Sequence, residues 1–191
     1  MAEVIFNRGP APDAPIPRAR AGEIAVVQQA MAVLRAGVGA KVAELIAYVT
    51  SEYPDLLPPG PGFRVPQDDA WFNYLRLPLK CPSYPTVCIV PYPAKMLNHS
   101  IQDEYKDQRT FVVDVVCQGT SPEDLTLQLQ LWELLVFELL GNTEAMDCGH
   151  TIWTETAWAK PLQTIASLSS LVADLPMLFV TTMYEYPDPN V

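Results

Sequence analysis

The sequence predicts an α+β domain: a mainly antiparallel four-stranded sheet with two long helices packed on one face, in the order α-β-β-α-β-β. Three observations point to it. An apolar strand at 110–117 runs into a capped helix that stops at Gly141-Asn142, a helical apolar pattern fills 21–50, and strand-like segments lie two before and two after the long helix. At 191 residues, 49% of them apolar and 18% charged, the chain is long and apolar enough to bury a real core and is not a disordered polymer.

Residues 1–20 carry Pro10, Pro12, Pro15 and Pro17 between small residues, which excludes a helix interior or a central strand. They read as an extended, proline-rich N-terminal arm, with a disordered tail as the open alternative. Residues 21–191 follow as a single domain. Ile5 and Phe6 are the arm residues suited to anchoring on a neighbouring subunit.

From Ala21 to Thr50, the residues Ile24, Val27, Met31, Leu34, Val38, Val42, Leu45 and Val49 recur at threes and fours and mark one helix face. Gly37 and Gly39 interrupt this pattern, so a kink or two helices in near continuity competes with one straight rod. Tyr53-Pro54 ends the helix.

Residues 54–85 form a proline-rich excursion whose prolines alternate with Phe63, Trp71, Phe72, Tyr74, Leu75, Leu77 and Tyr84. A linker would be polar; this segment is apolar. Two readings are open. Phe63, Trp71, Phe72 and Tyr74 contact a partner, or the loop folds back on its own domain.

Thr86 to Val90 is a short β-branched strand stopped by Pro91 and Pro93, and the polar stretch 94–109 suits a hairpin connection. In the strand that follows, Phe111, Val113, Val115 and Cys117 face one side and Val112, Asp114 and Val116 the other. Both faces are mainly apolar, which places it centrally.

Ser121, Pro122 and Asp124 supply an N-cap, a first-turn proline and a capping-box acid, and these signals decide for helix over the alternation of Leu125, Leu127, Leu129 and Leu131. Leu125, Leu129, Trp132, Val136, Leu139 and Leu140 form one broad stripe that covers the sheet. Leu127, Leu131 and Leu134 form a second, nearly opposite. That second stripe needs its own cover, either the first helix or another subunit. Residues 150–158 and 175–186 complete the sheet, joined by a Ser- and Leu-containing connection at 161–170.

Twelve Lys and Arg against 22 Asp and Glu give a net charge of −10, which argues against a generic phosphate-backbone binder. It does not exclude a protein past which DNA slides without sticking, since an acidic wall would repel phosphates. No apolar run is long enough to span a membrane, and the N-terminus lacks the basic start and apolar middle of a signal peptide, so the chain reads as made in the cytoplasm with reduced thiols.

No catalytic, cofactor or metal motif stands out. Cys148-Gly-His150 is an isolated pair, and Cys81 and Cys88 lack the two short-spaced ligand pairs of a structural zinc site. His99-Ser100 with Asp103 lacks a nucleophile elbow, and there is no glycine-rich phosphate loop. Asp68-Asp69 and Asp103-Glu104 fit solvated loops. The expectation is a protein that is not an enzyme and holds neither metal nor cofactor.

The block Arg109-Thr-Phe-Val-Val-Asp-Val-Val-Cys-Gln-Gly-Thr-Ser-Pro-Glu-Asp, followed by a long apolar helix and a terminal strand pair, resembles the tail terminator proteins of tailed bacteriophages and the related tail-completion and neck proteins. In element order the resemblance covers 22–53 and 84–186; in sequence texture only 109–141. It implies a structural virion protein of the tail or neck, assembled in the host cytoplasm as a homo-oligomeric ring, usually a hexamer. Such a ring caps the tail tube protein, meets the head connector or stopper protein, and lets DNA through its lumen. Leu127, Leu131 and Leu134 would then be inter-subunit contacts. The proline-rich arm and the excursion depart from a minimal terminator and keep a connector-side neck protein open. The alternative from another class is a soluble monomeric protein-binding module that uses the aromatic 54–85 segment.

Overall fold

The structure is a computed structural model; it describes residues 18–52, 54, 62–92, 99–101, 104–141, 152–159, 164–167 and 171–185. Four long strands and two helices set the architecture: α1 (Arg18–Glu52), β2 (Thr86–Tyr92), β4 (Glu104–Gln118), α2 (Pro122–Leu140), β5 (Ile152–Ala159) and β7 (Val172–Glu185). Three short strands join them: β1 (Trp71–Phe72), β3 (His99–Ile101) and β6 (Thr164–Ser167). The sheet runs β1-β2-β4-β7-β5, with β3 on β4 and β6 on β7. Every pairing is antiparallel except β1 with β2, so the predicted α+β plan holds with one parallel edge.

β4 is central, as its two apolar faces require. It pairs with β2 from Thr110 to Val116 and with β7 in unbroken register from Tyr105↔Glu185 to Gln118↔Val172. Phe111 lies directly opposite Phe179, their rings stacked 5.3 Å apart. Alternation sends Val87 and Ile89, then Phe111, Val113, Val115 and Cys117, then Ala173, Leu175, Met177 and Phe179 to one face. There they meet Val26, Val27, Ala30, Leu34 and Val38 of α1 and Leu125, Trp132, Leu135, Val136 and Leu140 of α2 in a single core. Both helices thus cover the same face.

α1 is one uninterrupted helix of 35 residues, about 52 Å long at 1.5 Å per residue. It starts at Arg18, inside the stretch expected to be arm; residues 1–17, with Ile5 and Phe6, lie outside the described residues. Gly37 marks a close approach between helices, and no break. A Cβ built there would sit 2.5 Å from Leu139 Cδ2 of α2, so the absent side chain lets the helices cross closely. Ile24, expected on the buried face, is exposed, and Val26 and Ala30 are buried in its place.

α2 begins as its caps dictate: the Ser121 side chain accepts a hydrogen bond from Asp124 N at 3.2 Å, with Pro122 in the first turn. Gly119 is required just before it, because a Cβ would meet the Leu125 backbone nitrogen at 2.7 Å. Asp124 accepts from Thr120 N at 2.7 Å, from Thr120 Oγ1 at 2.9 Å and from Gln128 Nε2 at 3.3 Å, and forms an ion pair with Arg64. Gln128 donates to Gly62 O at 3.0 Å and accepts from Arg64 N at 3.2 Å. These bonds clamp 62–64 to the first two turns of α2. Phe63 then lies against Trp132, with ring centroids 5.3 Å apart.

Residues 76–85 lie against the opposite sheet face. The Cys88 thiol takes a backbone hydrogen bond from Arg76, and Cys81, whose thiol donates to Leu77 O at 3.7 Å, lies beside Thr86. Cys88 and Thr86 alternate with the core-facing Val87 and Ile89, so they belong to that second face.

Candidate assembly surfaces

The leucines of the second α2 stripe part company. Leu131 is 3% exposed and already covered within its own chain, which removes it from the surface on which another subunit could dock. It sits three residues beyond Gln128, on the side of the helix to which 62–64 is clamped. Leu127 is half-buried. Leu134 is 48% exposed and opens into a groove between the helices.

That groove has a volume of about 440 Å³ and is floored by Leu45, Tyr48, Leu134 and Leu135. Its rim carries Lys41, Glu44 and Glu138. Lys41 Nζ bonds both Glu44 oxygens, at 2.9 and 2.8 Å, and this ion pair with the added pull of Glu138 holds the lysine above its ordinary value. Tyr48 and, one turn along α2, Phe137 add exposed aromatic surface.

The aromatic residues expected to meet a partner are mostly committed to their own domain. Phe63 and Trp71 pack on the core; Trp71 pairs with Val87 in β1–β2 and lies 5.8 Å under the Arg35 guanidinium, whose Nη2 donates to Asp68 O at 3.0 Å. Arg76 stacks over Phe72 at 4.3 Å and Tyr74 at 5.5 Å, and the two rings are 5.3 Å apart. Only Tyr74 of the four is exposed. The prominent surface of the excursion is aliphatic: Leu75, Leu77 and Leu79 are 62%, 64% and 59% exposed. The aromatics of this segment are not its exposed apolar surface; the alternation Leu75-Arg76-Leu77-Pro78-Leu79 is the sequence signal for it.

Three buried or half-buried ionisable groups, Asp114, Asp174 and Cys88, belong to the sheet face that 76–85 covers, whereas Cys117 faces the helix-side core. Asp114 of β4 is 5% exposed, and its Oδ1 has no hydrogen-bond partner among the described residues; nor have Asp174 Oδ1, Arg76 Nε and Ser83 Oγ. Burial pushes the Asp114 carboxyl up to about 7, and the like charge of Asp174 adds to the effect. Asp174 is also raised by burial. Cys88 is pushed up to about 11 and Cys117 higher still, both by burial first, so these free thiols stay protonated and are poor nucleophiles. Cys148 and His150 lie outside the described residues. Among the described residues no three His, Cys, Asp or Glu side chains gather to hold a metal, and no helix is long and apolar enough to cross a membrane.

No family model and no curated protein matches the chain. A chain in the solved structure of the virion of a native gene transfer agent particle shares a loose likeness: TM-score 0.41, 10% identity, covering 60% of this chain and 78% of that one. A likeness of that size carries no shared function.

Proposed function

We propose that the chain is a structural subunit of a tailed-phage virion, a tail terminator that closes into a ring, caps the tail tube and joins it to the head connector or stopper. DNA passes through the lumen without specific binding. The ring is a hexamer, following the family resemblance of the 109–141 block. One observation carries the reading: a well-packed α+β domain leaves large apolar side chains exposed in separate places, among them Leu134 and Tyr48 on the helix layer and Leu75, Leu77 and Leu79 on the excursion. Separate apolar patches on one subunit suit repeated contact between copies. The net charge of −10 supports a lumen that repels phosphate.

The monomeric binding-module reading loses ground, because Phe63, Trp71 and Phe72 are held by the domain itself. A neck protein of the same plan is the nearer alternative. Adding the purified chain to uncapped, growing tail tubes separates the two. A terminator arrests growth and leaves density at the tube end in electron micrographs. Tubes that keep lengthening would rule out the terminator role.

A further inference from the structure

We infer that copies of this chain join head to tail, the leucine ridge Leu75–Leu77–Leu79 of one copy seating in the α1–α2 groove of the next. This rests on the ring reading above and specifies its contact.

The ridge is preformed. A tight turn closes on Lys80 N to Leu77 O at 2.8 Å, Tyr84 Oη donates to Pro78 O at 2.6 Å, and Thr86 Oγ1 donates to Ser83 O at 2.6 Å. Behind it, Arg76 is stacked over Phe72 and Tyr74. Three large leucines are therefore held outward by a bonded scaffold, and seating them orders little that is not ordered already.

The groove has the complementary character. Its floor is apolar, its volume of about 440 Å³ is within the range of pockets that enclose side chains or small ligands, and its rim holds one cation and two carboxylates. Lys41, bonded to Glu44 and drawn by Glu138, offsets only one of the two carboxylates, which leaves the rim with one surplus negative charge. The ridge ends in exposed Lys80. A lysine meeting a surplus carboxylate adds little energy but fixes register and excludes the reversed arrangement.

Placement decides the symmetry. Residues 76–85 lie against the sheet face away from the helices, whereas the groove opens between the helices on the other side. Ridge and groove on opposite sides make a heterologous contact, the kind that closes into a ring when the rotation per subunit allows.

The test uses three full-length proteins in sedimentation velocity: wild type, a ridge variant (Leu77→Asp with Leu79→Asp) and a groove variant (Leu134→Asp). Wild type assembles, and each variant alone needs a roughly tenfold or higher concentration to do so. Mixing the two variants yields a one-to-one heterodimer that grows no further, because only one ridge and one groove remain intact. Wild-type assembly with either variant assembling normally, or folded variants that fail to pair, overturns this contact and leaves the ring reading standing. A wild type that stays monomeric at every concentration overturns both. Leu77→Ser with Leu79→Ser removes the apolar surface without adding charge and shows the same loss if the ridge is the contact, even should the aspartates disturb folding.

Discussion

Replacing Asp114 by Asn deletes a titrating proton from the middle of the sheet while keeping the side chain's shape. The folded carboxyl titrates near 7 against an ordinary 3.8, mainly through burial. At about 1.4 kcal/mol per pH unit, that gap corresponds to about 4 kcal/mol, an upper figure that local relaxation would reduce toward about 2. The sign follows from proton counting. Between about pH 4 and 7 the unfolded chain has released this proton and the folded chain still holds it, so stability falls as pH rises and the full penalty is present above 7. Asp124 acts in the opposite sense. Burial works to raise it, but hydrogen bonds from Thr120 and the Arg64 charge hold it low, so its contribution is lost only as pH falls below the carboxylate range. Urea unfolding at fixed protein concentration at pH 4.5, 6 and 8 reads the difference. Wild type should lose stability across this window, and Asp114→Asn should lose about 1.5–3 kcal/mol less, the part of the full gap that falls between pH 4.5 and 8. Asp174 leaves a residual slope in both proteins, because it too is raised. Parallel curves for the two proteins would refute the assignment, whatever constant offset the new amide introduces.

Two further substitution pairs test the packing. Leu131→Asp puts a charge into a buried site and should cost about 3 kcal/mol or more in thermal or urea unfolding, whereas Leu134→Asp on the exposed side should change stability by less than about 0.5 kcal/mol. Gly39→Ala should stabilise by about 0.5–1 kcal/mol, since nothing among the described residues lies within 4 Å of its Cβ position and the helix gains propensity. Gly119→Ala should destabilise by about 1–3 kcal/mol by driving a methyl group into the Leu125 backbone.

The elements that local chemistry specifies were readable from the chain. Ser121, Pro122 and Asp124 define where α2 begins, and the doubly apolar pattern around Phe111–Cys117 makes β4 central. Strands with weak local signals were not readable. β1 is two residues amid prolines and aromatics, and β3 and β6 are short pieces in segments that read as connections. β2 continues through Pro91, which read as its stop. Periodicity also could not rank Leu127, Leu131 and Leu134. Their exposure depends on α1 and on residues 62–64, which reach α2 from 66 positions away in the case of Gly62 and Gln128. Gly37 looked like a flaw in a helix until Leu139 stood opposite it. Asp114, set among valines, carried a signal in its surroundings: a lone acid on a strand apolar on both faces is a buried acid.

Self-association through apolar surfaces of one folded domain is read by native mass spectrometry of the full chain across a range of concentrations. A closed oligomer, a hexamer, should dominate as concentration rises, with no open-ended ladder. A strict monomer at every concentration, or an unbounded series of oligomers without closure, would contradict it.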